Sequence, residues 1–179
     1  MKKIVEEVLL TNEEIKNRCK ELGEEVTKDY AGKRLVLICL LKGSVPFATE
    51  LSTHINLDLE MEFLRASSYD GTNSKGEVKI NYFFTGCLEG KDVLIVEDII
   101  DTGLTLDVVV RELKKMNPKS LEIIALLNKK DVNTGLKSKP KYVGFDIPNK
   151  FVVGFGLDYN ELYRNLNFIG VLKKEVYGG

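Results

Sequence analysis

Tryptophan is missing from this chain, and histidine occurs once, at His54. One histidine, with Cys19, Cys39 and Cys87 at no C-x-x-C spacing, excludes a zinc site built on paired ligands. An odd number of thiols does not make a disulfide framework. Cys39 lies in an apolar run and reads as a small core residue, and His54, near the end of a helix pattern, reads as structural or surface. No apolar run approaches the ~18 residues of a membrane span. Glu6 and Glu7 interrupt any apolar core after Met1-Lys2-Lys3, so no signal peptide is read there. Free thiols without an export signal point to the cytoplasm. Neither sign of charge dominates: the net charge of −1 gives no global pull toward nucleic acid or an anionic membrane. No G-x-x-x-x-G-K-[ST] occurs, which removes the P-loop hydrolases.

The residues present fit an ordinary globular protein. The 179 residues, 44% hydrophobic and 30% charged, suit one domain over 1–179 with a substantial core. Thr11-Asn12-Glu13-Glu14 matches the T-x-x-E capping box, predicting a helix to about Tyr30. Leu35–Leu41 reads as a buried parallel strand, Lys42-Gly43-Ser44 as a turn and Val45–His54 as a helix. A strand at Leu59–Arg65 leads into the polar stretch Ser67–Gly76, expected to be a loop. The run Val78–Phe84 alternates and is expected to pair back as an arm. Further strands are predicted at Leu121–Leu127, Tyr142–Phe145, Val152–Phe155 and Ile169–Leu172. Alternating strands and helices favour a mostly parallel sheet with helices on both faces.

The most informative stretch is Val93–Leu106, VLIVEDIIDTGLTL. An apolar strand, Val93–Val96, runs into Glu97-Asp98, and a third carboxylate, Asp101, precedes a Thr-Gly-Leu-Thr turn. A helix pattern comes next, with Leu106, Val109, Val110, Leu113 and Met116 at three-and-four spacing, stopped by Asn117-Pro118. Open α/β sheets bind ligands at the carboxyl edge of their strands, and free amides at a helix start suit a phosphate. Asp101, Thr102, Gly103, Leu104 and Thr105 thus offer an amide cradle with two hydroxyls, and Gly103 permits a tight backbone. Glu97 and Asp98 are adjacent like charges, so one carboxyl should be raised unless hydroxyls or a cation offset it. Asp101-Thr102-Gly103 alone would also fit an aspartic protease. That chemistry needs a second such carboxylate in an all-β setting, and no second DTG or DSG exists.

This stretch resembles the phosphoribosyl pyrophosphate (PRPP) motif of the type I phosphoribosyltransferases. Leu41-Lys42-Gly43, Phe63–Tyr69, Lys129 and Gly144–Arg164 make the chain similar to the hypoxanthine-guanine branch of that family, from about Leu35 to Leu172. The resemblance implies the type I fold, a mostly parallel central sheet flanked by helices with a small hood. It also implies purine salvage: a 6-oxopurine, hypoxanthine or guanine, joined to PRPP to give IMP or GMP and pyrophosphate, with Mg²⁺.

By the same resemblance Asp101 is the general acid/base beside N7 of the purine, and Glu97 and Asp98 meet the ribose hydroxyls and Mg²⁺. Lys42 and Gly43 bind pyrophosphate through backbone amides, often at a cis peptide, and Arg164 is a second pyrophosphate contact, its guanidinium fork suited to the task. Phe151 stacks on the base, Val152 meets its pyrimidine edge, Lys129 donates to O6 and Asp158 holds a second Mg²⁺. Ser68 and Tyr69 match a closing lid, and Arg65 a subunit or neighbouring site. Leu104 stands where some relatives carry lysine, which the amide cradle does not need. The family forms homodimers or homotetramers. The alternative is a regulator of the same fold that senses PRPP or nucleotide. The intact Asp101 and the lack of a basic balance favour the enzyme. Met1–Val8 and Lys173–Gly179 are expected to add no chemistry.

Overall fold

The structure, a computed structural model, describes residues 4–68, 78–132 and 136–178. In chain order its elements are β1 (Val5–Leu10), α1 (Asn12–Asp29), β2 (Leu35–Leu40), α2 (Val45–Ser52), β3 (Leu59–Ser68), β4 (Val78–Tyr82) and β5 (Asp92–Ile100). Then come α3 (Leu104–Lys114), β6 (Ser120–Asn128), β7 (Tyr142–Asp146), β8 (Val152–Val153), β9 (Ile169–Leu172) and α4 (Lys174–Tyr177).

β2 carries no polar residue and is buried at every position. A strand so apolar belongs in the middle of a sheet covered on both faces. It pairs parallel with β3 on one side and β5 on the other. The main sheet has the order β4-β3-β2-β5-β6-β7, with β4 antiparallel at its edge as the expected arm. Side chains alternate between two cores, as the pleat requires. Leu35, Leu37 and Cys39 pack with residues of α1 and α2. Val36, Ile38 and Leu40 pack with Leu106, Val109, Val110 and Leu113 of α3. Each such fully buried aliphatic contributes about 1.5–3 kcal/mol.

The predicted capping box is present: Thr11 Oγ1 accepts from the Glu14 amide, and the Glu14 carboxylate accepts from Thr11 N–H at 2.8 Å. Ile15, Cys19, Leu22 and Val26 form the buried stripe of α1. Burial pushes the Cys19 and Cys39 thiols up to about 12, which leaves both inert. His54 is structural: its Cβ fills the space left by Gly23, and its ring meets Glu50 at 3.3 Å.

A smaller sheet, β1-β9-β8, forms the hood around Val5, Val153, Leu166 and Leu172. β1 and α4 were not expected from the sequence. β1 is short, with two glutamates, and is a strand because β9 pairs with it, Val5 opposite Leu172. Two other boundaries shift. β5 does not end at Val96 but runs through the acidic pair to Ile100, because β6 continues beside it to Asn128. β8 stops at Val153, where Gly154 (φ +102°) and Phe155 (φ +47°) turn the chain. No helix among the described residues is long and apolar enough to cross a membrane.

The path of the main sheet fixes where a ligand can sit. From β2 the chain moves outward to β3, whereas from β5 it moves to β6 on the other side. The order therefore reverses between β2 and β5, and the crevice at such a switch point is where open α/β sheets hold ligands.

Candidate active site

At that crevice the turn after β2 faces the acidic end of β5. The Leu41–Lys42 peptide bond is cis, and Gly43 lies directly against Asp98. A cavity of about 300 Å³ opens here, walled by Lys42, Gly43, Glu97, Asp98, Asp101, Thr102, Gly103 and Thr105. Asp98 accepts the Ile99 amide on Oδ1 at 2.8 Å, and its own amide donates to Glu97 Oε1 at 3.3 Å. Both carboxylates keep some surface at the cavity but are otherwise walled by protein. Burial, and then the charge of Asp98, push the Glu97 carboxyl well above the usual carboxylate range, and burial raises Asp98 as well. The protein leaves this pair short of positive charge.

Beside it lies the turn expected to form the anion cradle. Gly103 is the N-cap of α3 in the left-handed region, φ +74°. Thr102 and Thr105 line the cavity, and Leu104 points into solvent, 71% exposed, so its side chain takes no part in the cradle. Two residues that sequence reasoning missed hold this turn. Leu136 packs so closely on Gly103 that a Cβ there would stand 2.3 Å from its Cδ1. Asp107 accepts the amides of Ser138 and Lys137 at 2.8 and 3.3 Å, tying their segment to the first turn of α3. The acid in the first helical turn was the only signal for Asp107; Leu136 had none.

A second cavity of about 250 Å³ adjoins the first and shares Asp98, Ile99 and Asp101 with it. Its remaining walls are Lys129, Phe151, Val152, Leu157 and Asp158. Lys129 directly succeeds β6 and is buried, its amide bonded to Ile100 O and its Nζ 3.0 Å from Asp101 Oδ2. The two groups expected at O6 and N7 of a purine are thus an ion pair at the junction of the cavities.

Arg164 lines neither of these two cavities. Its Nη1 donates to Gly156 O at 2.8 Å, its Nη2 pairs with Asp158 at 2.8 Å, and its Nε is buried with no partner among the described residues. It reaches the Lys42 turn through neighbours. A Cβ on Gly156 would stand 1.9 Å from Gly43 O, and Glu161 bridges Lys42 at 2.8 Å and Arg164 at 3.5 Å. Ser68 ends β3, and Tyr69 lies outside the described residues. Arg65 pairs in register with Asn81 on the arm.

Among the described residues no three His, Cys, Asp or Glu side chains converge on one point. A cage made by protein alone would suit zinc or calcium. Two adjacent, undercompensated carboxylates suit Mg²⁺, which takes one or two carboxylates and fills its shell with water and substrate oxygens. Asp158 is already engaged, by Arg164 on Oδ1 and by the Glu161 amide on Oδ2.

A strand, an acidic edge and a glycine-capped helix at a switch point define a class: α/β proteins that seat a phosphorylated ligand at the carboxyl end of a parallel sheet. Within that class, the phosphoribosyl transferase domain matches residues 6–160. A hypoxanthine-guanine phosphoribosyltransferase of Lactococcus lactis is 51% identical, over 98% of this chain and 95% of that one. Its counterpart in Staphylococcus aureus is also 51% identical, over 97% of each chain. The crystal structure of a hypoxanthine phosphoribosyltransferase from Staphylococcus aureus superposes with a TM-score of 0.92 at 49% identity, covering 99% of this chain and 96% of that one. The chain belongs to the phosphoribosyltransferase family, in its hypoxanthine-guanine branch.

Proposed function

We propose that this protein transfers the 5-phosphoribosyl group of PRPP to a 6-oxopurine, hypoxanthine and also guanine, giving IMP or GMP and pyrophosphate. It is a glycosyltransferase of purine salvage. The observation that carries this reading is the junction of the two cavities at Asp98, Ile99 and Asp101. A phosphorylated ribose in the first and a base in the second would bring C1 and N9 together there, and such positioning is a large part of catalysis.

The residues divide the work between sugar phosphate and base. Amides of Thr102, Gly103, Leu104 and Thr105 receive the 5-phosphate, and Glu97 and Asp98 accept the ribose hydroxyls. The backbone of Lys42 and Gly43 receives the pyrophosphate, with Arg164 contributing charge from behind. In the base cavity Phe151 covers one face of the purine, Val152 meets its pyrimidine edge, and Lys129 donates to O6. Adenine would turn an amine donor toward Lys129, leaving both groups unpaired, which is how a buried site rejects an analogue. Asp101 handles the proton at N7 as the new bond forms at N9, and its pairing with Lys129 keeps it aimed.

Glu97 and Asp98, and Asp158 on the base side, are the residues that would hold Mg²⁺. Bound there, the ion supplies positive charge against the leaving pyrophosphate. We further infer one catalytic domain over residues 1–179, a cytoplasmic location and a homodimer or homotetramer, as the family resemblance implies.

The test is turnover with PRPP, Mg²⁺ and each of hypoxanthine, guanine, xanthine and adenine, monitored by ultraviolet absorbance. Conversion of 6-oxopurines but not adenine is expected, with kcat reduced about 10²–10⁴-fold in Asp101→Asn. PRPP binding without turnover on any base would overturn the enzyme reading in favour of an effector-binding regulator.

A further inference from the structure

The ring assigned to the face of the base is itself backed by another ring. Phe151 is 37% exposed, yet it is not free to turn. Tyr177 stacks on it with centroids 4.9 Å apart and planes 24° from parallel, and Tyr159 meets it edge-on at 5.7 Å and 87°. The base cavity counts Phe151 among its walls but neither tyrosine. Both tyrosines therefore contact the parts of Phe151 turned away from the cavity.

Tyr177 is held where it stands. It ends α4, whose preceding residue Lys173 donates its amide to Ile4 O at 3.0 Å, and Leu172 donates to Phe151 O at 2.8 Å. Tyr159, Tyr177 and Val176 pack on the hood core of Val5, Val153, Leu166 and Leu172. A chain of contacts thus runs from the hood core through Tyr177 to the back of Phe151.

We propose that Tyr177 is a positioning residue for the purine, the back layer of a base–Phe151–Tyr177 stack. The inference rests on the reading that Phe151 faces the base. A half-exposed phenyl ring with no ring behind it loses rotamer freedom when a ligand lands on it, and that loss weakens binding. Tyr177 and Tyr159 have fixed the ring beforehand, so the base meets a preformed surface. Offset-stacked aromatic pairs add to binding beyond their buried area, and losing one layer should cost roughly two- to tenfold in affinity.

The test uses the full chain, with steady-state kinetics and calorimetric binding of IMP for wild type, Tyr177→Phe, Tyr177→Leu, Tyr177→Ala and Phe151→Ala, at matched native mass. Tyr177→Ala and Tyr177→Leu should raise KM for hypoxanthine and Kd for IMP by about two- to tenfold. KM for PRPP and kcat should stay within about twofold, and Tyr177→Phe should match wild type. An unchanged hypoxanthine KM in Tyr177→Ala and Tyr177→Leu overturns the proposal. So does equal loss for PRPP and hypoxanthine, which marks a purely structural role, or a Tyr177→Phe variant as impaired as the alanine. Phe151→Ala separates the two readings. If it weakens the base and Tyr177→Ala does not, only the backing role fails; if neither does, Phe151 is not the base wall.

Discussion

Asp98 and Gly43 compete for one volume: a Cβ placed on Gly43 would stand 1.6 Å from Asp98 Oδ2. Gly43 stands in the turn after β2 and Asp98 in β5, and the two meet at the crevice between those strands. On its other side the carbonyl of Gly43 is pressed by Gly156. Gly43 is thus a glycine because a carboxylate needs its space.

Gly43→Ala should push the Asp98 carboxylate off its present position. Displacement on the scale of an ångström can cost about 10²-fold in rate. We expect kcat/KM for PRPP to fall by that order while hypoxanthine binding to the free enzyme changes little. Equal kcat/KM for PRPP in variant and wild type would show that Asp98 does not need its present place.

Glu97→Gln tests the uncompensated pair through stability. Burial, with the charge of Asp98, raises the folded pKa of Glu97 above the ordinary ~4.3. Between that value and the raised one the folded state holds more protons than the unfolded state, so stability falls as pH rises through this window. The charge penalty grows as pH rises through that window. Glu97→Gln should therefore raise Tm at pH 7.5, by about 2–4 °C per kcal/mol relieved, and flatten the decline from pH 5 upward. It should also weaken PRPP. A lower Tm at pH 7.5 in the variant would contradict the strained-pair account.

Gly103→Ala meets two obstacles. Its left-handed φ of +74° costs an alanine about 1–2 kcal/mol, and Leu136 must move. Denaturant titration should show a destabilisation of that order or somewhat more. KM for PRPP should rise more than KM for hypoxanthine, since the proposed phosphate cradle and not the proposed base wall is deformed. A fully stable variant with normal PRPP kinetics would remove Gly103 from the cradle.

Lys129→Met removes the proposed donor to O6 and leaves Asp101 without its partner at 3.0 Å. Hydrogen bonds to charged groups contribute about 1.5–3 kcal/mol, so KM for hypoxanthine should rise roughly 10- to 100-fold. Discrimination against adenine should narrow at the same time. If hypoxanthine loses nothing, O6 is read by another group.

The phosphate side was legible in the sequence because its parts are consecutive. Strand, carboxylates, glycine turn and helix succeed one another from Asp92 to Lys114, and each has a local chemical signature. The base side was legible only through family resemblance, since Lys129, Phe151 and Asp158 meet across loops with no common spacing. Asp107 and Leu136 act through a contact between distant segments. β1 and Tyr177 had no local signature for the same reason, because partners far along the chain, β9 and Phe151, give them their place. Arg164 was expected at the crevice, but its guanidinium is turned to Gly156 and Asp158 behind it.

Among the described residues β1 has β9 as its only partner strand in the hood, Val5 facing Leu172 and Leu10 facing Ile169, while α1 is capped from Thr11 onward. A growing chain emerging from the ribosome therefore exposes β1 unpaired until β9 has been made. The walls of the crevice that come from β2, β5 and the start of α3 precede Phe151, Val152 and the hood strands β8 and β9 along the chain. A message truncated just short of β9 would encode a protein with β1 left bare, a strand edge ready to pair with a neighbour.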